Sequence, residues 1–378
     1  MSEITTVDYS YVDKAEQLRT VVDACREVSV IALDTEFARF NTYYPIVGLI
    51  QIYTGQQCFL IDPVSIGNID ALIPVMTDSS LLKVLHACSE DMEVFQHSIG
   101  VTPQPVYDTQ IAGAALGVGF SVGYQALVEH YLSISLPKDQ TRSDWLARPL
   151  TSEQLDYAAL DVIHLLQVYE GQCVELSSGP KLQWIEADSA GLGKDIPTQM
   201  APEDCYKKFR GLWQLNRQQL NLLKILCAWR EVTARSENVP KNRIVDQKSL
   251  ISIVKDGINN KQAFQNVANM SPRQVRRYGD EILFLQSEAK LLPEHECPEL
   301  VDRTDAPINN KKLKRLRDVV AQRAKILSVA PELLTKRRHL EKLIRSEDVQ
   351  GKYYLPSELG GWREAAIGEA LLVELADS

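Results

Sequence analysis

The segment VSVIALDTEF, residues 28–37, decides the fold and the chemistry of the amino-terminal half of this 378-residue chain. It is short and rich in Val, Ile and Leu, which predicts a buried strand. Residues i and i+2 of a strand point to the same face, so this strand would place the carboxylates of Asp34 and Glu36 together. Two like charges in that arrangement are costly unless a cation lies between them. Carboxylates without nearby His or Cys favour a hard divalent ion such as Mg²⁺ or Mn²⁺.

Two further acidic blocks lie downstream. The first follows a short apolar strand and ends in Glu90 and Asp91, either of which could complete a metal site. The second contains Tyr157 and Asp161, which are four residues apart on a predicted helix and therefore share one of its faces. The sequence thus predicts one acidic site assembled from three separate segments.

Longer stretches frame these acids: IALDTEF at 31–37, VLHACSED at 84–91 and SDWLARPLTSEQLDYAALD at 143–161. In their order and in their residues these stretches resemble ribonuclease D, a family of the four-carboxylate (DEDD) 3′→5′ exonucleases. That superfamily divides on whether a tyrosine four residues, or a histidine five residues, precedes the last aspartate. Tyr157 has the first spacing and Asp156 occupies the second position, so the resemblance is to the tyrosine branch.

The resemblance implies a role for each acidic residue. Two divalent ions, Mg²⁺ or Mn²⁺, would be held by four carboxylates: Asp34, Glu36, Asp91 and Asp161. Glu36 would also take part in catalysis, and Tyr157 would orient the attacking water. A phenol with an unperturbed pKa near 10 suits positioning better than base catalysis. The implied activity is a 3′→5′ exoribonuclease that releases 5′-mononucleotides from RNA with a free 3′ end, with transfer-RNA precursors as the substrate.

Two alternatives stay open. The protein could be a DNA-directed 3′→5′ exonuclease, because the sequence identifies no group that reads the 2′-hydroxyl. It could also be a non-catalytic nucleic-acid-binding protein that keeps a nuclease fold. A missing carboxylate would support that second alternative, and none of the four is missing.

Residues beside the acidic motifs are candidates for contact with the substrate strand: Phe37, Arg142, Trp145 and Arg148. The two arginines could grip phosphates while Trp145 stacks on a base. Phe37 could wedge against a terminal base. Core packing is an equal alternative for both aromatic residues. His86 is expected to make structural hydrogen bonds and not to bind metal.

Charge divides the chain into two halves. Residues 1–200 hold 10 basic and 26 acidic side chains, whereas residues 201–378 hold 31 basic and 24 acidic ones. Basic segments attract phosphate backbones by counterion release, so the overall charge of −9 does not argue against an RNA substrate. Three basic clusters are candidates for RNA contact, although each could be a solvated helix face: Arg273 with Arg276 and Arg277, residues 311–317, and residues 336–338.

Alternating strands and helices predict an α/β fold for the acidic half, with a hairpin over 48–62 and helix caps at Ser89, Asp108 and Thr151. The resemblance implies a ribonuclease-H-like mixed sheet with flanking helices, followed by two all-α helical domains. The helical domains would be of the HRDC type, shared by RecQ-type helicases and ribonuclease D. We expect an exonuclease domain at 1–200 and HRDC-type domains at 206–290 and 291–378.

Two weaker patterns bear on domain organisation. Glycine, serine and proline between residues 177 and 205 predict a linker or peripheral segment. Beyond it, two apolar helical stripes, each followed by a proline-containing break, form a repeat of roughly ninety residues.

Several classes of protein are not expected. No 18-residue apolar run is present, and the first residues lack the basic and apolar regions of a secretory signal. The seven cysteines are scattered and form no Cys-x-x-Cys pair, which favours reduced thiols over disulfides or zinc. We therefore expect a cytoplasmic protein without membrane contact and without an obligate protein partner.

Overall fold

The computed structural model describes residues 8–136, 143–176, 179–193, 200–258, 260–266, 269–301 and 308–376. The described residues form two compact units. The first contains those within 1–38, 46–196 and 307–378, and the second contains those within 39–45 and 197–306.

A six-stranded mixed sheet is the centre of the first unit among its described residues. Its strands are β1 (Ser10–Val12), β2 (Val30–Ala38), β3 (Ile46–Tyr53), β4 (Cys58–Ile61), β5 (Leu82–Leu85) and β6 (Val106–Asp108). Their order across the sheet is β1-β4-β3-β2-β5-β6. β2, β3 and β4 pair antiparallel, while β1, β5 and β6 join in parallel. The predicted hairpin, mixed sheet and α/β class are confirmed.

Helices cover both faces of this sheet. They are α1 (Leu18–Arg26), α2 (Pro63–Ile66), α3 (Ile73–Thr77), α4 (Ser89–Ile99), α5 (Thr109–Ala115), α6 (Tyr124–Leu132), α7 (Ser152–Glu175) and α8 (Lys181–Gly191). Alternation along β2 sends Ile31 and Leu33 into the core that contains α1, α3 and α4, whereas Ala32 packs in the core that contains α5, α7 and α8. Asp34 and Glu36 continue the row of Ala32, so they point toward the α7 side.

Helix caps form where the sequence predicts them, with one exception. Asp108 accepts from the backbone of Gln110 and Ile111, and Thr151 forms a capping box with Gln154 at the start of α7. The N-cap of α4 is Cys88, not Ser89, and no side chain caps it.

The segment predicted to be a linker or a peripheral segment contains helix α8, so Lys181–Gly191 are not a linker. Trp184 and Ile185 of α8 are buried, and the Trp184 ring stacks on Trp362 with 4.5 Å between centroids. Trp362 is far from Trp184 in the sequence, so this contact could not be predicted. The glycines and prolines on either side of α8 also hid the helix from sequence analysis.

The second unit is built from helices among its described residues. They are α9 (Arg217–Ser236), α10 (Lys241–Ile244), α11 (Gln247–Asp256), α12 (Lys261–Asn266) and α13 (Pro272–Ala289). The leucine stripe of α9, with Leu220, Leu223 and Leu226 fully buried, forms its core. Segment 39–45 belongs to this unit, because Tyr43 packs in the same core.

The last helices belong to the first unit: α14 (Asn310–Leu327), α15 (Pro331–Leu334), α16 (Arg337–Arg345) and α17 (Glu369–Ala376). A long helix, a four-residue helix and a further helix repeat the order of α9, α10 and α11, as the ninety-residue repeat predicts. Leu316 and Leu334 share a core with α5, α7 and α8. The Ala330 backbone N–H donates to the Ala114 carbonyl at 2.8 Å. The core of the first unit therefore includes α14–α17 together with helices from residues 1–200.

Among the described residues, no helix is long and apolar enough to cross a membrane.

Candidate active site

Strand β2 and helix α7 bring three of the predicted carboxylates together. Asp34, Glu36 and Asp161 each offer an oxygen, and these oxygens lie within 4.8 Å of one another. Strand alternation places Asp34 and Glu36 on the face toward α7. Asp161 is one helical turn after Tyr157, on the buried side of α7. The geometry is that of a cluster of hard oxygen ligands.

The cluster is electrostatically unfavourable by itself. Burial, and then the charges of Asp91, Asp161 and Glu36, raise the pKa of Asp34 well above its usual range. Burial, and then Asp161 and Asp91, raise the pKa of Glu36 to about 9. Without a cation, some of these groups must hold protons at neutral pH.

The residues present fit divalent ions. Mg²⁺ and Mn²⁺ prefer negatively charged oxygen ligands. A bound cation would stabilise the ionised carboxylates and so lower their raised pKa values. Gln51 gives a second indication, because it pairs directly with Asp34 across β2 and β3. It is fully buried, and neither polar atom of its amide has a hydrogen-bond partner among the described residues. Such an orphaned amide indicates that a polar group belongs beside Asp34.

Helix α4 carries the fourth carboxylate. Asp91 is 7% exposed, whereas Glu90 is exposed. The Thr35 hydroxyl donates to Asp91 Oδ1, from the strand that holds Asp34 and Glu36. Burial raises the pKa of Asp91 to about 6, although the Thr35 hydrogen bond lowers it. Asp91 therefore lies beside the cluster, and its charge acts on Asp34 and Glu36.

Tyr157 is a hydrogen-bond partner of Asp161. Burial, and then the charges of Asp161, Glu36 and Asp34, raise the pKa of Tyr157 far above its usual value. Burial raises the pKa of Asp161 to about 7, and the hydrogen bond from Tyr157 lowers it. The phenol therefore keeps its proton at neutral pH and acts as a donor.

Two positioning residues have no role in the sequence prediction of the site. Tyr124 donates its hydroxyl to the backbone carbonyls of Leu160, at 3.2 Å, and Asp161, which fixes the turn of α7 that carries the Asp161 carboxylate. Asp108 does more than cap α5, because it also accepts from the backbone N–H groups of Ala87 at 3.2 Å and Cys88 at 3.0 Å. It thereby fixes the loop that enters α4. The cap at Asp108 was readable from sequence, but neither long-range contact was.

The loop before α4 has a strained backbone. Ala87 has a φ of +53°, in the left-handed region that residues with a Cβ rarely adopt. The two backbone hydrogen bonds that Asp108 accepts hold this conformation. It sets the direction of α4 and so the position of Asp91.

The structure contradicts the predicted role of Arg148 in gripping phosphate. Its guanidinium donates to Asp62 through Nε at 2.7 Å and through Nη2, and its other bonds go to the carbonyls of Gly48, Trp145 and Ala147. These bonds use all five donors of an arginine, so none remains for RNA. Burial alone would raise the pKa of Asp62, but its hydrogen bonds to Arg148, Ser65 and Tyr11 hold it well below its usual value.

The other substrate-contact predictions have different outcomes. Trp145 is 3% exposed, and its ring lies 6.2 Å from that of Tyr157, so it packs in the core and supports Tyr157. Alternation along β2 puts Phe37 on the face opposite Glu36, and its contact with a base stays a prediction. Arg142 lies outside the described residues. His86 bonds Thr109 Oγ1 through Nδ1 at 2.9 Å, a structural contact as expected.

Comparisons with known proteins agree with this geometry. Residues 9–171 match a family model described as 3′-5′ exonuclease, and residues 219–285 match the HRDC domain. Ribonuclease D of Pseudomonas paraeruginosa PA7 is 41% identical over 356 residues, covering 93% of this chain and 94% of that protein. Ribonuclease D of Escherichia coli K12 is 34% identical over 367 residues, covering 97% and 98%.

Solved structures give the same result. The crystal structure of E. coli RNase D superposes with a TM-score of 0.90 at 34% identity, covering 98% of this chain and 99% of that one. The catalytic core of RRP6 from Trypanosoma brucei has a TM-score of 0.59 at 25% identity, covering 76% and 81%. The chain belongs to the ribonuclease D family of 3′→5′ exoribonucleases.

Proposed function

We propose that this protein trims the 3′ ends of structured RNA, transfer-RNA precursors above all, by two-metal-ion hydrolysis in the cytoplasm. The observation that carries the proposal is the half-buried cluster of carboxylates, which no cationic group among the described residues compensates. Asp34, Glu36, Asp91 and Asp161 would hold two ions, Mg²⁺ or Mn²⁺. When bound, such ions supply a water activated as nucleophile and stabilise the leaving 3′-oxygen.

The protein's own groups do the positioning. Tyr157 holds its proton and presents a hydrogen-bond donor next to Asp161, so it orients the nucleophilic water and does not deprotonate it. Tyr124 and Asp108 fix the backbones that carry Asp161 and Asp91. Rigid support of this kind keeps the reacting groups in a productive geometry.

Relatives and charge support the RNA substrate. The E. coli RNase D structure is described as that of an exoribonuclease involved in structured RNA processing. The basic surplus of residues 201–378 suits the body of a folded RNA. We assign the exonuclease role to residues 1–200 with the support of α14–α17, and the first HRDC-type domain to 206–290. A second HRDC-like domain at 291–378 is supported by the repeated order of helices.

The test is a nuclease assay with 3′-extended transfer RNA and with RNA and DNA oligonucleotides of one sequence, in Mg²⁺, Mn²⁺ or EDTA. We expect mononucleotide release from RNA in either ion and none in EDTA. Asp34→Asn and Asp161→Asn should lose at least about a hundredfold in rate, by analogy with the loss of a central electrostatic stabiliser. Glu90→Gln, beside Asp91 but exposed, is the matched control and should keep its activity. Full activity in EDTA, or faster cleavage of DNA, would contradict the proposal.

A further inference from the structure

A wide cavity in the second compact unit is unused by the nuclease chemistry. Its volume is about 1040 Å³, and its walls are segment 39–43, residues 237–243 and the first part of α13. All of these residues belong to that one unit. Five cationic side chains and one acidic one line it: Arg39, Lys241, Arg243, Arg273 and Arg277, against Glu237.

One wall of the cavity is held rigidly. Asn238 Oδ1 accepts from the backbone N–H groups of both Tyr43 and Tyr44, each at 3.1 Å. Tyr43 is 6% exposed, and its hydroxyl bonds the buried carboxylate of Glu231. Arg235 also pairs with Glu231, at 2.9 Å. Segment 39–43 is therefore preorganised, which lowers the ordering cost of binding a ligand.

The positive charge of the cavity is only partly compensated. Arg277 pairs with Glu237 at 2.9 Å, and Lys241 pairs with the buried Glu231 at 3.1 Å. Within the described residues, the only side-chain hydrogen bond of Arg243 goes to the neutral amide of Asn41, at 3.3 Å. Arg273 is exposed, and within the described residues its guanidinium makes no hydrogen bond or ion pair. The surplus favours an anionic ligand with more than one charge.

An aromatic ring stands among these cations. Phe40 lines the cavity and is 80% exposed, so a large apolar surface faces water beside the arginines. Cationic grooves with exposed aromatic rings are how proteins bind single-stranded nucleic acid, since phosphates meet the cations and bases stack on the rings. An acidic peptide would use the charges but would leave Phe40 unexplained. The volume is at the upper end of the range for small-ligand sites, which leaves room for more than one nucleotide of a strand.

We propose that this cavity is a second RNA-binding site, in which Arg243 and Arg273 hold the phosphates of a single strand and Phe40 stacks on one base. The proposal rests on the RNA substrate proposed above and adds a second place at which the protein holds a strand. Segment 39–43 begins three residues after Glu36 in the sequence. Residues 34–40 therefore carry two of the proposed metal ligands, Asp34 and Glu36, and also the stacking ring of Phe40.

The experiment uses the full-length protein in EDTA with a fluorescent 12-nucleotide single-stranded RNA, so that binding is measured without cleavage. Phe40→Ala should raise the Kd for this RNA by on the order of 5- to 100-fold, the range for loss of one base–aromatic stack. Arg273→Gln should raise Kd. It should also make the slope of log K against log salt shallower by about 0.7, the value for one phosphate contact to a single strand. Arg276→Gln is the matched control: it lies on the same helix, is exposed and does not line the cavity. It should bind within about twofold of wild type, a difference smaller than one contact.

Two results would overturn the assignment. One is Phe40→Ala and Arg273→Gln binding as tightly as Arg276→Gln. The other is displacement of RNA by a polyglutamate of equal charge as efficiently as by unlabelled RNA, with Phe40→Ala unchanged, which would make the cavity a general anion site. Hydrolysis of a dinucleotide in Mg²⁺ is measured alongside and should have an unchanged kcat in every variant. Wild-type protein that binds the 12-mer but does not hydrolyse RNA would count against the proposed nuclease function and leave the binding site supported.

Discussion

Replacing Glu36 by glutamine should stabilise the metal-free protein, although most substitutions in a buried site destabilise. Glu36 lies beside carboxylates, and no cationic group among the described residues lowers its pKa, which rises from 4.5 to about 9. At pH 7 the unfolded chain therefore has an ionised Glu36, and the folded chain has a protonated one. Glutamine is neutral in both states and nearly the same shape, so it avoids this cost.

The magnitude follows from linkage between proton binding and folding. A carboxylate whose folded pKa is raised costs nothing below its unfolded pKa of 4.5, and the cost grows as the pH rises toward 9. At pH 7 the cost is about 3 kcal/mol, and at pH 5 it is below about 1 kcal/mol. Glu36→Gln should thus raise the thermal midpoint in EDTA by several degrees at pH 7 and by little at pH 5.

Added metal should reverse the order of stability. A ligand that binds only the folded state stabilises it, by about 2.7 kcal/mol at a hundredfold excess over Kd. Wild type should therefore gain stability in Mn²⁺, while Glu36→Gln, which has lost a charged ligand, should gain much less. The measurement is thermal unfolding by circular dichroism in EDTA and in Mn²⁺, with Glu90→Gln as an exposed control that should follow wild type in both.

One result would refute this reasoning. If Glu36→Gln unfolds at a lower temperature than wild type in EDTA at pH 7, Glu36 is held in its ionised form by some favourable contact. The carboxylates would then not depend on a cation, and the electrostatic argument for the metal site would fail.

The remaining predictions concern Tyr157 and Arg148. Tyr157→Phe removes one hydrogen bond to a charged group, so the single-turnover rate should fall by about tenfold to a hundredfold with RNA binding unchanged. Weakened binding with an unchanged chemical step would make Tyr157 a substrate clamp. Arg148→Gln leaves Asp62 fully buried without its ion pair, so the free energy of unfolding should fall by about 3–5 kcal/mol while the folded variant keeps its affinity for RNA. Lost affinity at unchanged stability would restore Arg148 to the substrate-binding set.

The acidic cluster was predictable because its geometry is local. The period of a strand puts Asp34 and Glu36 on one face, and the period of a helix puts Tyr157 and Asp161 on another. Only their meeting required the fold. The choice of Asp91 over Glu90 needed burial, which the sequence does not show: one is 7% exposed and the other lies on the surface.

Domain organisation was less predictable because long-range packing decides it. The sequence changes character near residue 200, and a boundary there follows from composition. The core of the first unit nevertheless takes in α14–α17, and the second unit takes in segment 39–45. Tyr43 bonds Glu231, which is 188 residues away. No pattern confined to a window of the sequence contains such a pairing.

Basic residues show most clearly what the sequence withholds. Composition marks Arg148, Arg273 and residues 311–317 alike as candidates for RNA contact, because charge alone is visible. In the structure every N–H donor of Arg148 is hydrogen-bonded to another group of the protein. Within residues 311–317, Lys312 pairs with Glu347 at 3.2 Å. Arg273 has no such partner among the described residues and lines a cavity beside an exposed ring. A cation can serve a ligand only if the fold has not already supplied its counter-charge, so the positive surplus of residues 201–378 predicts that RNA is bound, whereas only the contacts of each side chain indicate where.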